Sequence, residues 1–231
     1  MLLLGIDTSG KSGGITLAAG DERSFRILES SPIAGGTFSA QLVPVIASTL
    51  EKHGFAVRDI GGFAVASGPG SFTGLRVGLS AVKGLAEALG TLIATVSLLE
   101  ALACSSGTPG RVAAALDAGR TEVFFGLYQV SVAGDATKRS ECLLSQSGFL
   151  QELNHGDLQG AITSDAALAH LAAAANNSMK IQVAERPSSE LIARLGLRKL
   201  LAGEIVSAEA LDANYLRRSD AEIFSREKDK R

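Results

Sequence analysis

The sequence predicts an α/β protein made of two related halves, and three observations carry that reading. Each half opens with an apolar run that ends at an aspartate and a turn, first at Asp7 and again at Asp117. Apolar runs of strand length alternate with apolar stripes at the 3.6-residue period of a helix. Between the halves lies Ser105-Ser106-Gly107-Thr108-Pro109-Gly110, a linker-like segment. The organisation expected is an N-terminal lobe over 1–106, a C-terminal lobe over 107–216 and a charged, disordered tail over 217–231.

The elements follow in order. Residues 2–6 and 15–19 are apolar runs joined by turn-forming residues from Thr8 to Gly14, which predicts a hairpin, and 23–29 supplies a third strand. After Gly35-Gly36, the residues Phe38, Leu42, Val45, Ile46, Thr49 and Leu50 form one stripe at helical period, with Pro44 removing a backbone donor. Residues 62–66 read as a buried strand, 67–73 as a loop and 74–89 as a long helix ended by Gly90. A strand at 92–96 and a helix at 98–104 complete the first half. The second repeats strand, aspartate, turn, strand over 112–130. A strand at 161–163, an Ala-rich helix capped by Asp165 and a helix over 190–202 after Ser188 complete it.

With 231 residues and 46% apolar composition the chain can bury a full core. Its net charge of −2, with charged residues at 20%, gives no field able to hold a polyanion by itself, so binding a nucleic acid is not expected as a sole function. Cys104 and Cys142 lack metal-ligand spacing and read as packed, reduced thiols. The N-terminus reaches Asp7 without a basic leader, and no apolar run is long enough to span a bilayer, so a cytoplasmic protein without membrane partners is expected. His53, His155 and His170 stand apart from other ligand-type residues; solvated or turn positions are expected and no metal site.

The densest signal is the run from Ser67 to Gly78, Ser-Gly-Pro-Gly-Ser-Phe-Thr-Gly-Leu-Arg-Val-Gly, between a strand and a helix. Such a loop offers backbone amides to an anion at a helix N-terminus, but the Lys and Ser/Thr that end a phosphate loop are missing. In the helix beyond it, Gly74, Gly78, Ala81, Gly84 or Leu85, and Ala88 recur on one face, which fits either close packing inside the lobe or a subunit interface. Asp7, Thr8 and Ser9 in the first turn and Asp117 in the second sit where a fold of the actin/Hsp70/sugar-kinase type contacts metal-bound phosphates; a turn aspartate bonding its own backbone is the other reading.

Taken together, the loop Gly68, Pro69, Gly70, Ser71, Phe72, Thr73, Gly74, Leu75, Arg76, Val77, Gly78 and the following Ala-Val-Lys-Gly-Leu-Ala strongly resemble the TsaB (YeaZ) family. Gly5-Ile6-Asp7-Thr8-Ser9, the segments 96–103 and 116–124, and the closing Asn214-Tyr215-Leu216-Arg217 fall in family order. The resemblance implies an actin/Hsp70-like (ASKHA) two-lobe fold with duplicated RNase H-like β/α halves. It implies a non-catalytic subunit that pairs with the homologous catalytic subunit TsaD and recruits the ATPase TsaE. That assembly transfers a threonylcarbamoyl group to the adenosine beside the anticodon, with tRNA held mainly through the complex.

In the catalytic relative a His-x-x-x-His pair holds a metal; the matching positions here are Leu98 and Leu102, which carry no ligand atoms. Two places depart from the family pattern: Phe38 replaces a histidine, and Asp117-Ala118-Gly119-Arg120 has one arginine fewer. The expected pairing surface comprises Phe38, Leu42 and Val45 with Gly74, Val77, Gly78, Ala81 and Leu85, also available for a homodimer when the chain is alone. No intrinsic cofactor is expected; the complex interface is a candidate place for ATP or ADP, and Asp7, Thr8, Ser9 and Asp117 are the candidate nucleotide contacts on this chain. The rival readings are an ATP-binding enzyme of the sugar-kinase type and a glycoprotease-like peptidase.

Overall fold

The computed structural model describes residues 1–154, 157–175 and 179–216. These divide into two compact units, the first formed by 1–102 with 185–213 and the second by 103–184 with the segment from 214 onward. In chain order the first unit contains β1 (Leu2–Asp7), β2 (Ser12–Gly20), β3 (Phe25–Ala34), α1 (Phe38–Lys52), β4 (Gly62–Gly68), α2 (Phe72–Leu89), β5 (Leu92–Ser97) and α3 (Leu98–Cys104), the last ending at the junction. The second contains β6 (Gly110–Gly119), β7 (Glu122–Val130), β8 (Ala136–Ser145), α4 (Gln146–Leu153), β9 (Gly160–Thr163), α5 (Ala166–Ala174) and β10 (Ile181–Val183). The chain then returns to the first unit as α6 (Ser189–Leu201).

The two sheets have the same topology. The first runs β3-β2-β1-β4-β5, an antiparallel meander extended by two parallel strands, and the second runs β8-β7-β6-β9-β10 with the same pairing. The repeat of strand, aspartate and turn is therefore a repeat of β1–β2 in β6–β7. In the first hairpin Ile6 pairs with Ile15 and Leu2 with Ala19, as the alternation of apolar residues requires.

Period-2 alternation sorts the first sheet's two faces. Leu4, Ile6, Phe63 and Val65 join Phe38, Leu42, Ile46, Leu75, Leu79 and Val82 in one apolar core under α1 and α2. The opposite face is lined by small residues and takes α6. Its Ala193 lies against Gly5, and its Gly196 so close to Ala64 that an added Cβ would be 2.1 Å from the alanine's Cβ. Thr16 Oγ1 and Ser189 Oγ are 2.8 Å apart on the same face.

This placement departs from the sequence-based boundary, which put the last helix in the C-terminal lobe. Strand and helix alternation identifies the helix but not the sheet it covers; the fit of Ala193 and Gly196 to Gly5 and Ala64 decides that. The third strand runs to Ala34 through Pro32, which an edge strand accommodates. β8 and α4 occupy a stretch that the sequence left unassigned. The expected tail over 217–231 lies outside the described residues. No helix among the described residues is long and apolar enough to cross a membrane.

Candidate functional site

β1 delivers Asp7 to the start of the first turn, where its carboxylate is 2% exposed. The Ser9 amide donates to Asp7 Oδ1 at 2.8 Å and the Ser9 hydroxyl donates to the same oxygen. Arg186, arriving just before α6, donates from Nη2 to Ser9 Oγ at 3.0 Å. Its Nε is buried without a hydrogen-bond partner among the described residues, beneath Gly10. Burial pushes the Asp7 carboxyl above its ordinary value; the hydrogen bonds of Ser9 and the nearby Arg186 charge oppose the shift without cancelling it. Arg186 was not legible as a site residue, because 177 positions separate it from Ser9 and no local pattern marks it.

The glycine-rich loop folds onto this turn. Ser71 N donates to Ser9 O at 2.7 Å, and a Cβ on Gly70 would lie 2.4 Å from the same oxygen. Ser71 caps α2, accepting from Gly74 N at 3.2 Å through its hydroxyl, while Leu75 N donates to its carbonyl. Three amides of the kind a phosphate would use are thus engaged by the chain itself. Thr8 Oγ1 donates to Gly74 O at 2.8 Å, and a Cβ on Gly78 would be 2.4 Å from Thr8 Oγ1.

Those contacts settle the small-residue face of α2. Gly74 and Gly78 are buried against Thr8, and Phe38 and Leu42 lie in the core at 4% and 1% exposure. These four residues of the expected pairing surface are interior, because the stripe that looks continuous in sequence is split around the helix. Val45, Val77, Ala81 and Leu85 are half-buried. Small or apolar residues that are exposed include Ala40, Val43, Pro44 and Ala47 on α1 and Ser80, Gly84 and Ala88 on α2, alongside charged positions such as Glu51, Lys52, Lys83 and Glu87; Val43 is 58% exposed, and nothing lies within 4 Å of a Cβ added at Gly84.

Asp117, the counterpart of Asp7 in the second unit, has a different setting. It is exposed, its Oδ1 accepts from Gly119 N at 3.0 Å, and its own amide donates to Asp165 Oδ2 at 2.8 Å. Asp165 precedes α5 as expected, but its side chain makes no cap bond to that helix. Gly119, Arg120 and Thr121 continue with φ of 69°, 54° and 62°.

Leu98 and Leu102 are fully buried on α3. No group of three or more His, Cys, Asp or Glu among the described residues is placed to hold a metal. His53 lies in the turn that ends α1, half-buried, with its Nε2 2.8 Å from Glu29 Oε2, which Lys52 also approaches. His155 is outside the described residues, and His170 is exposed.

Two like-folded halves, each opening on an Asp-bearing hairpin, define the class: an actin/Hsp70-like protein with duplicated RNase H-like β/α halves. The solved structure "YeaZ from Pseudomonas aeruginosa" matches with a TM-score of 0.71 at 26% identity, covering 92% of this chain and 100% of that one. The family model described as "TsaD: tRNA N6-adenosine threonylcarbamoyltransferase" matches residues 32–223. Proteins named "tRNA threonylcarbamoyladenosine biosynthesis protein TsaB" match from Bacillus subtilis, 37% identical over 56% of this chain and 56% of theirs, and from Haemophilus influenzae, 30% identical over 54% and 52%. The chain belongs to this family, in its TsaB (YeaZ) branch. The alignments span about half the length of those two relatives.

Proposed function

We propose that the chain is a non-catalytic subunit in the synthesis of threonylcarbamoyladenosine in tRNA, working by pairing with the homologous catalytic subunit TsaD and recruiting TsaE. Membership of the TsaB branch supports the pathway. The observation that carries the pairing role is Gly84. A glycine inside an 18-residue helix costs about 1 kcal/mol relative to alanine, and the close approach to Thr8 that accounts for Gly74 and Gly78 is missing at Gly84. Flanked by Ser80 and Ala88 and accompanied by Val43, Pro44 and Ala47 on α1, it offers a partner helix near-backbone approach plus apolar area.

The chemistry belongs to the partner in this reading. Leu98 and Leu102 supply no ligand atoms, and the Asp7 turn spends its polar groups on the chain's own backbone, Ser9 and Arg186. The working location is the cytoplasm, where tRNA is modified. Depleting this protein and measuring threonylcarbamoyladenosine in bulk tRNA tests the proposal: the modification falls if it holds and stays at its normal level if it does not.

A further inference from the structure

The sheets of the described residues end in four edge strands, β3 and β5 in the first unit and β8 and β10 in the second. An edge offers backbone groups to any passing strand, and proteins blunt it with charge, proline or brevity. Three of the four do so within the strand itself: β3 carries Arg26, Glu29 and Pro32, β8 carries Lys138 and Arg139, and β10 has three residues. β5, Leu-Ile-Ala-Thr-Val-Ser, has no charge, proline or glycine, the composition of strands that pair across chains. Its protection comes from elsewhere in the first unit.

Val206 N donates to Ile93 O at 2.9 Å, which marks the side of β5 turned away from β4. Backbone groups alternate along a strand, so Thr95 and Ser97 face the same outer side. Lys199 Nζ, from the last turn of α6, donates to Thr95 O at 3.2 Å and to Glu100 Oε2 at 2.7 Å. Glu100, in the first turn of α3, also accepts from Ser97 N at 3.4 Å through that oxygen. We infer that the Lys199–Glu100 pair is an edge guard, which occupies the outward groups of Thr95 and Ser97 and keeps β5 closed to an extended strand of a second copy. A second copy is the occupant to guard against because it presents the same uncharged strand, and two such edges pair about a two-fold axis. An incoming strand has to displace and desolvate an ion pair whose side chains are only 21% and 15% exposed. The inference does not depend on the pairing role proposed above, which uses α1 and α2.

Lys199→Met alone leaves the half-buried Glu100 without its counter-charge, so the test combines it with Glu100→Gln, which keeps an acceptor for Ser97 N and opens Thr95 O. Sedimentation velocity of the full chain over a range of concentrations reads self-association, scored against the wild-type chain. The expected result is a folded double variant that associates at about tenfold lower concentration than wild type and loses that gain when Thr95→Pro is added, because proline at an edge removes a donor and blocks a neighbouring strand. Lys199→Gln, a milder change that leaves a polar group beside Glu100, shifts association in the same direction. Wild-type association by either folded variant, or a gain that survives Thr95→Pro, would overturn the inference.

Discussion

Thr8 Oγ1 donates to Gly74 O at 2.8 Å and lies where a side chain on Gly78 would begin, 2.4 Å from its ideal Cβ. One threonine at the end of β1 thus fixes how closely α2 can sit, and it explains two glycines in the first two turns of that helix. The expected consequence is that Gly78→Ala, which would raise intrinsic helix propensity, destabilises the protein by about 1–3 kcal/mol through overpacking. Urea unfolding of the variant checks this. Gly78→Ala together with Thr8→Ala should recover part of the loss, since the clash partner is then removed.

The buried Asp7 gives stability a pH dependence of definite sign. Its carboxyl titrates higher in the folded chain than in the unfolded one, so over the interval between the two values the native state binds more protons. Stability therefore falls as pH rises through that interval, and the penalty is complete above the raised value. Asp7→Asn keeps an oxygen for the Ser9 amide and hydroxyl but has no charge to desolvate. Unfolding curves for the two proteins should approach each other at acid pH, with D7N the more stable near neutrality; a wild-type protein that gains stability over the wild-type/D7N difference as pH rises would contradict this.

Thr121 is held at φ 62°, a conformation that β-branched residues avoid. Asn tolerates that region, so Thr121→Asn should stabilise by about 0.5–1 kcal/mol, roughly 1–4 °C in melting temperature for a chain of this size. Calorimetry at one scan rate decides it.

Nucleotide affinity should be weak in the isolated chain. Ser71 N and Gly74 N are engaged by Ser9 O and Ser71 Oγ, Asp7 is turned inward, and Gly119 stands where the family pattern has an arginine. Titration calorimetry with ATP and magnesium should return a dissociation constant above about 100 μM, equivalent to less than about 5.5 kcal/mol.

Much of the fold was legible because the strongest signals were local. The alternation in β1 and β2, the helical stripe from Phe38 to Leu50, and Gly90 at φ 64° ending α2 each depend on neighbours in sequence. The site was harder to read. A stripe of Gly74, Gly78, Ala81, Gly84 and Ala88 looks like one surface, and only the position of Thr8, far away in sequence, divides it into a buried part and an exposed part. Arg186 and the assignment of α6 to the first sheet depend on the same kind of distant fit, at Ser9, Gly5 and Ala64. β8 reads poorly because its outward residues Thr137 to Ser140 are polar and exposed, as edge strands commonly are.

The central claim is that the outward face of α2, at Gly84, is where a homologous subunit packs. Replacing Gly84 with Leu meets open space in this chain, so the melting temperature should hold or rise slightly, while overpacking at a helix crossing should weaken pairing with TsaD about ten- to a hundredfold. Binding of TsaD to wild-type and Gly84→Leu protein, measured side by side with melting, tests this directly. Unchanged melting with at least tenfold weaker pairing is the result the account predicts; unchanged pairing by a folded Gly84→Leu protein would contradict it.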